Sequence, residues 1–327
     1  MRAVSVRRCL WAVCLLAATA AQAFDLQAHR GGRGLWPEST LAAFGHAIRL
    51  GVTTLELDIA ITSDGVPVVT HDPALNPALT RDARGEWLLR AGPLVKDMTL
   101  AQIQSYDVGR LDPRQAYGRE FPLQQAQDGQ RIPTLAALFQ LVRDMGASDV
   151  QFNVETKTDP GVPGNTLDPE SFVRALLRVI GTPGMLKRVT VQSFDWRTLA
   201  IVQRLEPQLR TVYLTVPPPV ADRYPSGLWT AGHHLKDYNG SVPQMVRAAS
   251  GKAVGVVWSP HFSSLTADLV REAQDLGLKV IPWTVNDRPT MERLIDWGVD
   301  GIISDYPDRL RASMAFKGLA LPKGSGP

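Results

Sequence analysis

Two hydrophobic rhythms alternate along this chain. Short apolar runs rich in β-branched residues are followed by longer segments whose apolar positions recur every three or four residues. The first pattern fits buried strands, the second amphipathic helices. Strands are predicted over 24–28, 54–61, 150–156, 188–192, 211–215, 253–258, 279–284 and 301–304. A short extra strand over 66–69 follows the Ser63-Asp64-Gly65 turn as a hairpin. Helices are predicted to start at Ser39 or Thr40, either of which suits an N-cap, and over 100–106, 134–145, 169–180, 196–205, 242–249, 265–276, 289–297 and 307–316. Eight strand-then-helix units predict an α/β fold, the closed (β/α)8 or TIM barrel. Two stretches break the rhythm. Residues 72–131, rich in Pro, Gly, Asp, Gln and Arg, are too long for a structureless loop and are expected to form a small insertion after the second strand. Residues 217–241 open with three consecutive prolines and form a second irregular stretch.

The ends change the picture of where the protein works. Arg2, Arg7 and Arg8 precede an apolar run from Cys9 to Ala21, and Ala21-Gln22-Ala23 has the small-x-small form of a cleavage site. Residues 1–23 are therefore expected to be a signal peptide, too short to span a bilayer, and the protein is expected to be periplasmic or secreted. The barrel domain is expected over 24–316, with a frayed Gly/Pro-rich tail over 317–327. Both cysteines, Cys9 and Cys14, lie in the leader, so the mature chain has no disulfide and no zinc–cysteine site. The formal charge of +3 falls to zero once the three leader arginines are gone. No basic run remains, which argues against nucleic acid or stable membrane insertion and leaves a small molecule as the expected partner.

The candidate chemistry concentrates between 27 and 72. Along a strand, residues two apart share a face, so Glu56 and Asp58 point together while Leu55, Leu57 and Ile59 point the other way. Paired acids on a strand that is apolar on its other face are costly unless a cation sits between them. With Glu155 on the next barrel strand they offer three oxygen ligands, which suits one divalent cation, Ca2+ or Mg2+, better than zinc. Glu155 and Lys157 also fit a plain structural ion pair. His29 and His71 frame the acidic strand and suit general acid–base work, since imidazole titrates near neutrality. Arg30 and Lys157 suit a phosphoryl clamp, one as a planar fork and the other as a point charge. Glu38 fits either an orienting ion pair with Arg30 or an acid answering a helix dipole. Trp283 fits stacking on substrate carbons and core packing equally. His46, His233 and His234 are expected at the surface, and His261 follows a barrel strand.

These residues form a set of motifs: HRG (29–31), PEST (37–40), ELDI (56–59), DG-x-x-VV-x-HD (64–72), E-x-K (155–157), QSF (192–194), W-x-x-N (283–286) and DGI-x-SD-x-P (300–307). In that combination the sequence resembles the glycerophosphodiester phosphodiesterases over nearly the whole mature chain. The resemblance implies a TIM barrel with an insertion after its second strand, and metal-dependent hydrolysis of glycerophosphodiesters to sn-glycerol 3-phosphate and an alcohol. It implies Glu56, Asp58 and Glu155 as metal ligands and His29 and His71 as the acid–base pair. Arg30 and Lys157 are implied as phosphate contacts, with Trp283, Phe194 and Glu38 completing the expected substrate-binding set. The family usually has PENT where this chain has PEST, and Ser39 in place of Asn is expected to lose one side-chain contact without loss of activity. Two alternatives are a phospholipase C- or D-like lipid phosphodiesterase, whose apolar rim would be sought at 217–229, and a non-catalytic periplasmic phosphodiester-binding protein.

Overall fold

The computed structural model describes residues 23–217 and 226–324. Eight parallel strands alternate with helices in a TIM barrel that is nearly closed. They are β1 (Asp25–Ala28), β2 (Thr54–Ile61), β4 (Gln151–Thr156), β5 (Val189–Ser193), β6 (Arg210–Thr215), β7 (Val257–Pro260), β8 (Lys279–Val280) and β9 (Gly301–Ser304). The short β3 (Pro67–Val69) pairs antiparallel with the end of β2. The sheet runs β8-β7-β6-β5-β4-β2-β1-β9. Asp300 N–H donates to Val280 O at 2.9 Å and Ile303 N–H to Pro282 O at 3.0 Å, which carries backbone bonding across the remaining seam.

Around the barrel lie α1 (Leu41–Leu50), α4 (Leu135–Asp144), α5 (Pro169–Ile180), α6 (Trp196–Leu205), α7 (Val242–Ala249), α8 (Ala267–Asp275), α9 (Arg288–Asp296) and α10 (Pro307–Phe316). Thr40, Thr134, Asp168, Ser241, Thr266 and Asp287 each accept a backbone N–H at the start of their helix. These short polar side chains satisfy donors that a helix leaves unpaired and so fix where each helix begins. Every residue of β2 is buried. Leu55, Leu57 and Ile59 face the helices with no exposed surface. Their burial, worth about 1.5–3 kcal/mol each, offsets the cost of holding two carboxylates on the opposite, inward face.

Some boundaries differ from the sequence expectation. The strand expected over 253–258 begins at Val257 and runs to Pro260, because Ala253 N–H turns back to Ser250 O and Gly255 takes a positive φ of 67°. The strand expected over 279–284 keeps two ladder residues, since Pro282 has no N–H to donate. The helix expected over 100–106 stops as α2 (Leu100–Ile103), where the chain leaves to pair Asp107 with Arg81. The insertion region also holds α3 (Ala116–Glu120), which the sequence did not suggest because Gly118 weakens its local helical signal. The leader expected over 1–23 and the loop residues 218–225 lie outside the described residues, apart from Ala23. Of the rim expected for a lipid hydrolase, Leu228 is exposed but Trp229 is buried. No helix among the described residues is long and apolar enough to cross a membrane.

Candidate active site

The site forms at the carboxyl ends of the strands, where loops leave the barrel. Parallel pairing of β2 with β4 sets Asp58 opposite Glu155 and Glu56 opposite Asn153. Ligand atoms of Glu56, Asp58 and Glu155 lie within 4.8 Å of one another, and among the described residues they form the only such cluster of acids, histidines or cysteines. Below them a polar layer crosses the barrel. Asn153 Nδ2 donates to Gln27 Oε1 at 3.0 Å and to Gln192 Oε1 at 2.9 Å, and Gln192 Nε2 donates to Glu56 Oε1 at 2.6 Å.

After β1 the chain turns sharply through His29–Gly31. Arg30 takes a φ of 51° and Gly31 a φ of 82°. A side chain at Gly31 would put its Cβ 2.9 Å from that of Ala43, so close packing on α1 demands glycine. The left-handed turn aims the Arg30 N–H at Glu56 Oε2, 3.0 Å away, and sends the guanidinium to Glu38, with Nη1 to Oε1 at 2.8 Å. Arg30 Nε lies 3.2 Å from Asp58 Oδ2. The Glu38 side chain therefore sits behind Arg30 rather than on the cavity wall. Lys157 Nζ donates to Glu155 Oε1 at 2.8 Å and lies 3.6 Å from Asp58. The cavity, about 110 Å³, is lined by His29, Arg30, His71, Glu155, Phe194 and Trp283, with Glu56 and Lys157 among its other walls. The Phe194 and Trp283 rings meet edge-to-face at 5.4 Å. A larger cavity of about 350 Å³ opens at the opposite, amino end of the barrel around Asp25, Arg210 and Lys279, away from the acidic triad.

Each histidine leans on an acid. His29 Nδ1–H donates to Asp305 Oδ1 at 2.6 Å, and His71 Nδ1 lies 2.8 Å from Asp72 Oδ1. Both bonds leave Nε2 without a hydrogen bond, that of His29 lying 3.9 Å from Glu56 Oε2. Asp305 also accepts Arg33 Nε at 2.7 Å and Asn286 Nδ2 at 2.8 Å. Burial pushes His29 down to about 4, aided by Arg33 and opposed by Asp305, so its imidazole is neutral at neutral pH. Burial also lowers His71, with Lys157 and Arg30 acting the same way. Burial, opposed by Lys157 and reinforced by Asp58, pushes Glu155 up to about 7, and burial together with Asp58 and Glu155 lifts Glu56 well above the carboxylate range. For Asp58, burial is outweighed by Arg30, His71 and Lys157, which hold it low. Its buried Oδ2 accepts no hydrogen bond, although it lies 3.2 Å from Arg30 Nε. A buried carboxylate oxygen without a hydrogen bond, beside two acids whose pKa values are raised, is an arrangement a hard cation would complete.

The sequence assigns no part in the site to Asp72, Arg33 or Tyr117, and offers Asp305 only as a polar group at the end of the last barrel strand, β9, which it directly follows. Tyr117 lies in the irregular stretch, and its hydroxyl donates to Glu38 Oε2. His46 and His233 are partly exposed, as expected, and each has a partner: His46 stacks flat on Trp36 at 3.5 Å, and His233 Nδ1 meets Tyr238 Oη at 2.6 Å. His261 packs edge-on against Trp283 at 5.2 Å, beside the cavity wall.

Of the two N-cap candidates, Thr40 takes the position, while Ser39 adopts a φ of 59° and its buried Oγ has no partner. Asparagine tolerates the left-handed region better than serine, and a cavity of about 20 Å³ beside Ser39 and His71 gives its longer side chain room. Ser39→Asn is expected to stabilise the fold by about 0.5–1 kcal/mol, a rise in melting temperature of ~2 °C by calorimetry. An unchanged or lower transition would show that the turn is not strained.

A family model described as the glycerophosphoryl diester phosphodiesterase family matches residues 29–309. A glycerophosphodiester phosphodiesterase of Caldanaerobacter subterraneus subsp. tengcongensis is 32% identical over 286 residues, 86% of this chain and 94% of that one. One from Bacillus subtilis is 31% identical over 283 residues, covering 86% and 83%. Among solved structures, that of a putative glycerophosphoryl diester phosphodiesterase from Silicibacter pomeroyi superposes with a TM-score of 0.80 at 37% identity, covering 92% of this chain and 96% of that one. An Oleispira antarctica phosphodiesterase, solved in complex with the product sn-glycerol-3-phosphate, shares the fold at a TM-score of 0.62 and 23% identity, covering 89% and 96%.

Proposed function

This chain belongs to the glycerophosphoryl diester phosphodiesterase family, and from that premise we propose that it hydrolyses glycerophosphodiesters to sn-glycerol 3-phosphate and an alcohol at the barrel mouth, with one divalent cation. The observation that carries the reading is that Glu56, Glu155, two acid-backed histidines, Arg30 and Lys157 line one cavity, with Asp58 completing the carboxylate triad within 4.8 Å.

Glu56, Asp58 and Glu155 would hold the cation, Ca2+ or Mg2+, through hard oxygen donors. Such an ion, when bound, neutralises phosphoryl oxygens as a Lewis acid. Arg30, fixed by Glu38, and Lys157 complete the positive lining for a phosphodiester. Neutral His29 presents Nε2 as the acceptor for the proton of the attacking hydroxyl, with Asp305 steadying the imidazolium that forms. His71, held by Asp72 through Nδ1, would donate a proton from Nε2 to the departing alkoxide as the imidazolium, so this histidine has to be protonated in the substrate complex. Phe194 and Trp283 supply an apolar wall for substrate carbons.

Export is part of the same proposal and is supported by the basic start, the apolar run and the Ala-Gln-Ala site of the first 23 residues. Purified protein is expected to release glycerol 3-phosphate from glycerophosphocholine, and an excess of chelator is expected to stop that release. Binding of the diester without any turnover would instead identify a binding protein, and preferential cleavage of micellar phospholipid would identify a lipid hydrolase.

A further inference from the structure

We propose that Tyr117, carried by α3 of the insertion, is a positioning residue that ties the phosphate-binding arginine to the acid–base histidine; this rests on the roles given above to Arg30 and His29. The Tyr117 hydroxyl donates to Glu38 Oε2 and accepts Arg33 Nη1 at 3.0 Å. The other Glu38 oxygen takes Arg30 Nη1 at 2.8 Å. Arg33 Nε donates at 2.7 Å to the Asp305 oxygen that receives His29 Nδ1–H. One hydroxyl therefore joins two branches, Glu38 to Arg30 and Arg33 to Asp305 to His29. All five of those side chains are at most 15% exposed. In so dry a setting an acceptor left unpaired is costly and a paired one holds its geometry.

The insertion is built to deliver that hydroxyl. A Cβ at Gly118 would come within 1.9 Å of Asp112 O, so α3 rests directly on the preceding backbone. The Arg33 guanidinium lies 4.9 Å from the Phe121 ring centre and 5.8 Å from that of Tyr117. Gln124 Nε2 donates to Arg33 O, and Gln125 N–H to Leu35 O, each at 2.8 Å. These contacts fasten the insertion to the loop bearing His29 and Arg30. They also supply a packing role that the ring alone can fill, and the test has to separate the two.

Tyr117→Phe keeps the ring and removes the hydroxyl. Its kcat on glycerophosphocholine is expected to fall at least tenfold, roughly the loss of one hydrogen bond to a charged group, with KM within about twofold and melting within a few degrees of the parent. Calorimetric affinity for glycerol 3-phosphate, whose dianion relies on Arg30, is expected to drop several-fold. Because the hydroxyl acts on Arg30 through Glu38, the affinity of Tyr117→Phe/Glu38→Gln should be no weaker than that of Glu38→Gln alone. A Tyr117→Phe protein matching the parent in kcat and affinity overturns the proposal, as do affinity losses that multiply in the double variant. A parent that binds glycerol 3-phosphate without hydrolysing any diester sinks the catalytic reading instead, and calorimetry still decides on Tyr117. A parent that neither binds nor hydrolyses removes both.

Discussion

His29→Gln is expected to lower turnover of glycerophosphocholine by about a thousandfold, within the range that a positioned acid or base contributes. His71→Gln is expected to have a comparable effect. The two should differ when the leaving group changes. A p-nitrophenyl diester, whose leaving oxygen needs no proton, is expected to recover much of the rate in His71→Gln and little in His29→Gln. The reverse pattern would exchange their roles. Asp305→Asn keeps the imidazole but loses the carboxylate that holds Nδ1–H, and should lose about 10- to 100-fold.

The pH dependence follows from burial. His29 sits at about 4 in the folded protein, against about 6.5 in the unfolded chain. Between those values the unfolded state binds the extra proton, so this residue's share of stability is present above about 6.5 and lost as pH falls toward about 4. At pH 5 the parent should therefore lose more melting temperature, relative to neutral pH, than His29→Gln does. An equal loss in both proteins would mean that His29 charges freely in the folded state. The acid limb of kcat/KM that belongs to His29 should likewise fall well below pH 6.5.

Removing the cation should abolish turnover to a similar extent. Lewis-acid stabilisation is worth several kcal/mol, and about 4 kcal/mol corresponds to a thousandfold. Dialysis against chelator is expected to cut the rate by that order, and added Ca2+ or Mg2+ to restore it. Asp58→Asn should not be restored at the same concentrations, since it removes the charge of the acid held most firmly in its ionised form. Ion binding must also compete with protons. With Glu155 at about 7 and Glu56 held well above the carboxylate range by burial and its acidic neighbours in the ion-free protein, loading releases protons. The sign is opposite to that of His29. An acid raised on folding stabilises below its unfolded pKa, and that share is lost as pH rises through its folded value. The gain in melting temperature on adding the cation should therefore be larger at pH 8 than at pH 5. A gain independent of pH would place the ion elsewhere.

Much of this was legible in the sequence because it is local. The two-residue repeat of a strand puts Glu56 and Asp58 on one face regardless of the rest of the chain, and the alternation of strand and helix patterns yields the barrel, whose loop end gathers functional groups. His29, Arg30, His71, Lys157, Phe194 and Trp283 follow from their positions at strand ends, and all six line one cavity. What backbone periodicity could not carry was the choice of partner. Asp58 meets Glu155 because β2 and β4 pair in one register, and a shift by one residue would turn the acids away from each other. Asp305 reaches His29 across 276 positions of sequence, and Tyr117 reaches Glu38 across 79. Ser39 and Thr40 both suited the helix cap by residue type; packing gives the cap to Thr40 and puts Ser39 in a left-handed turn. By itself the sequence determined which side chains face the barrel mouth, since facing is a property of one strand. Only the tertiary structure decided which of them touch, since touching depends on how distant segments pack.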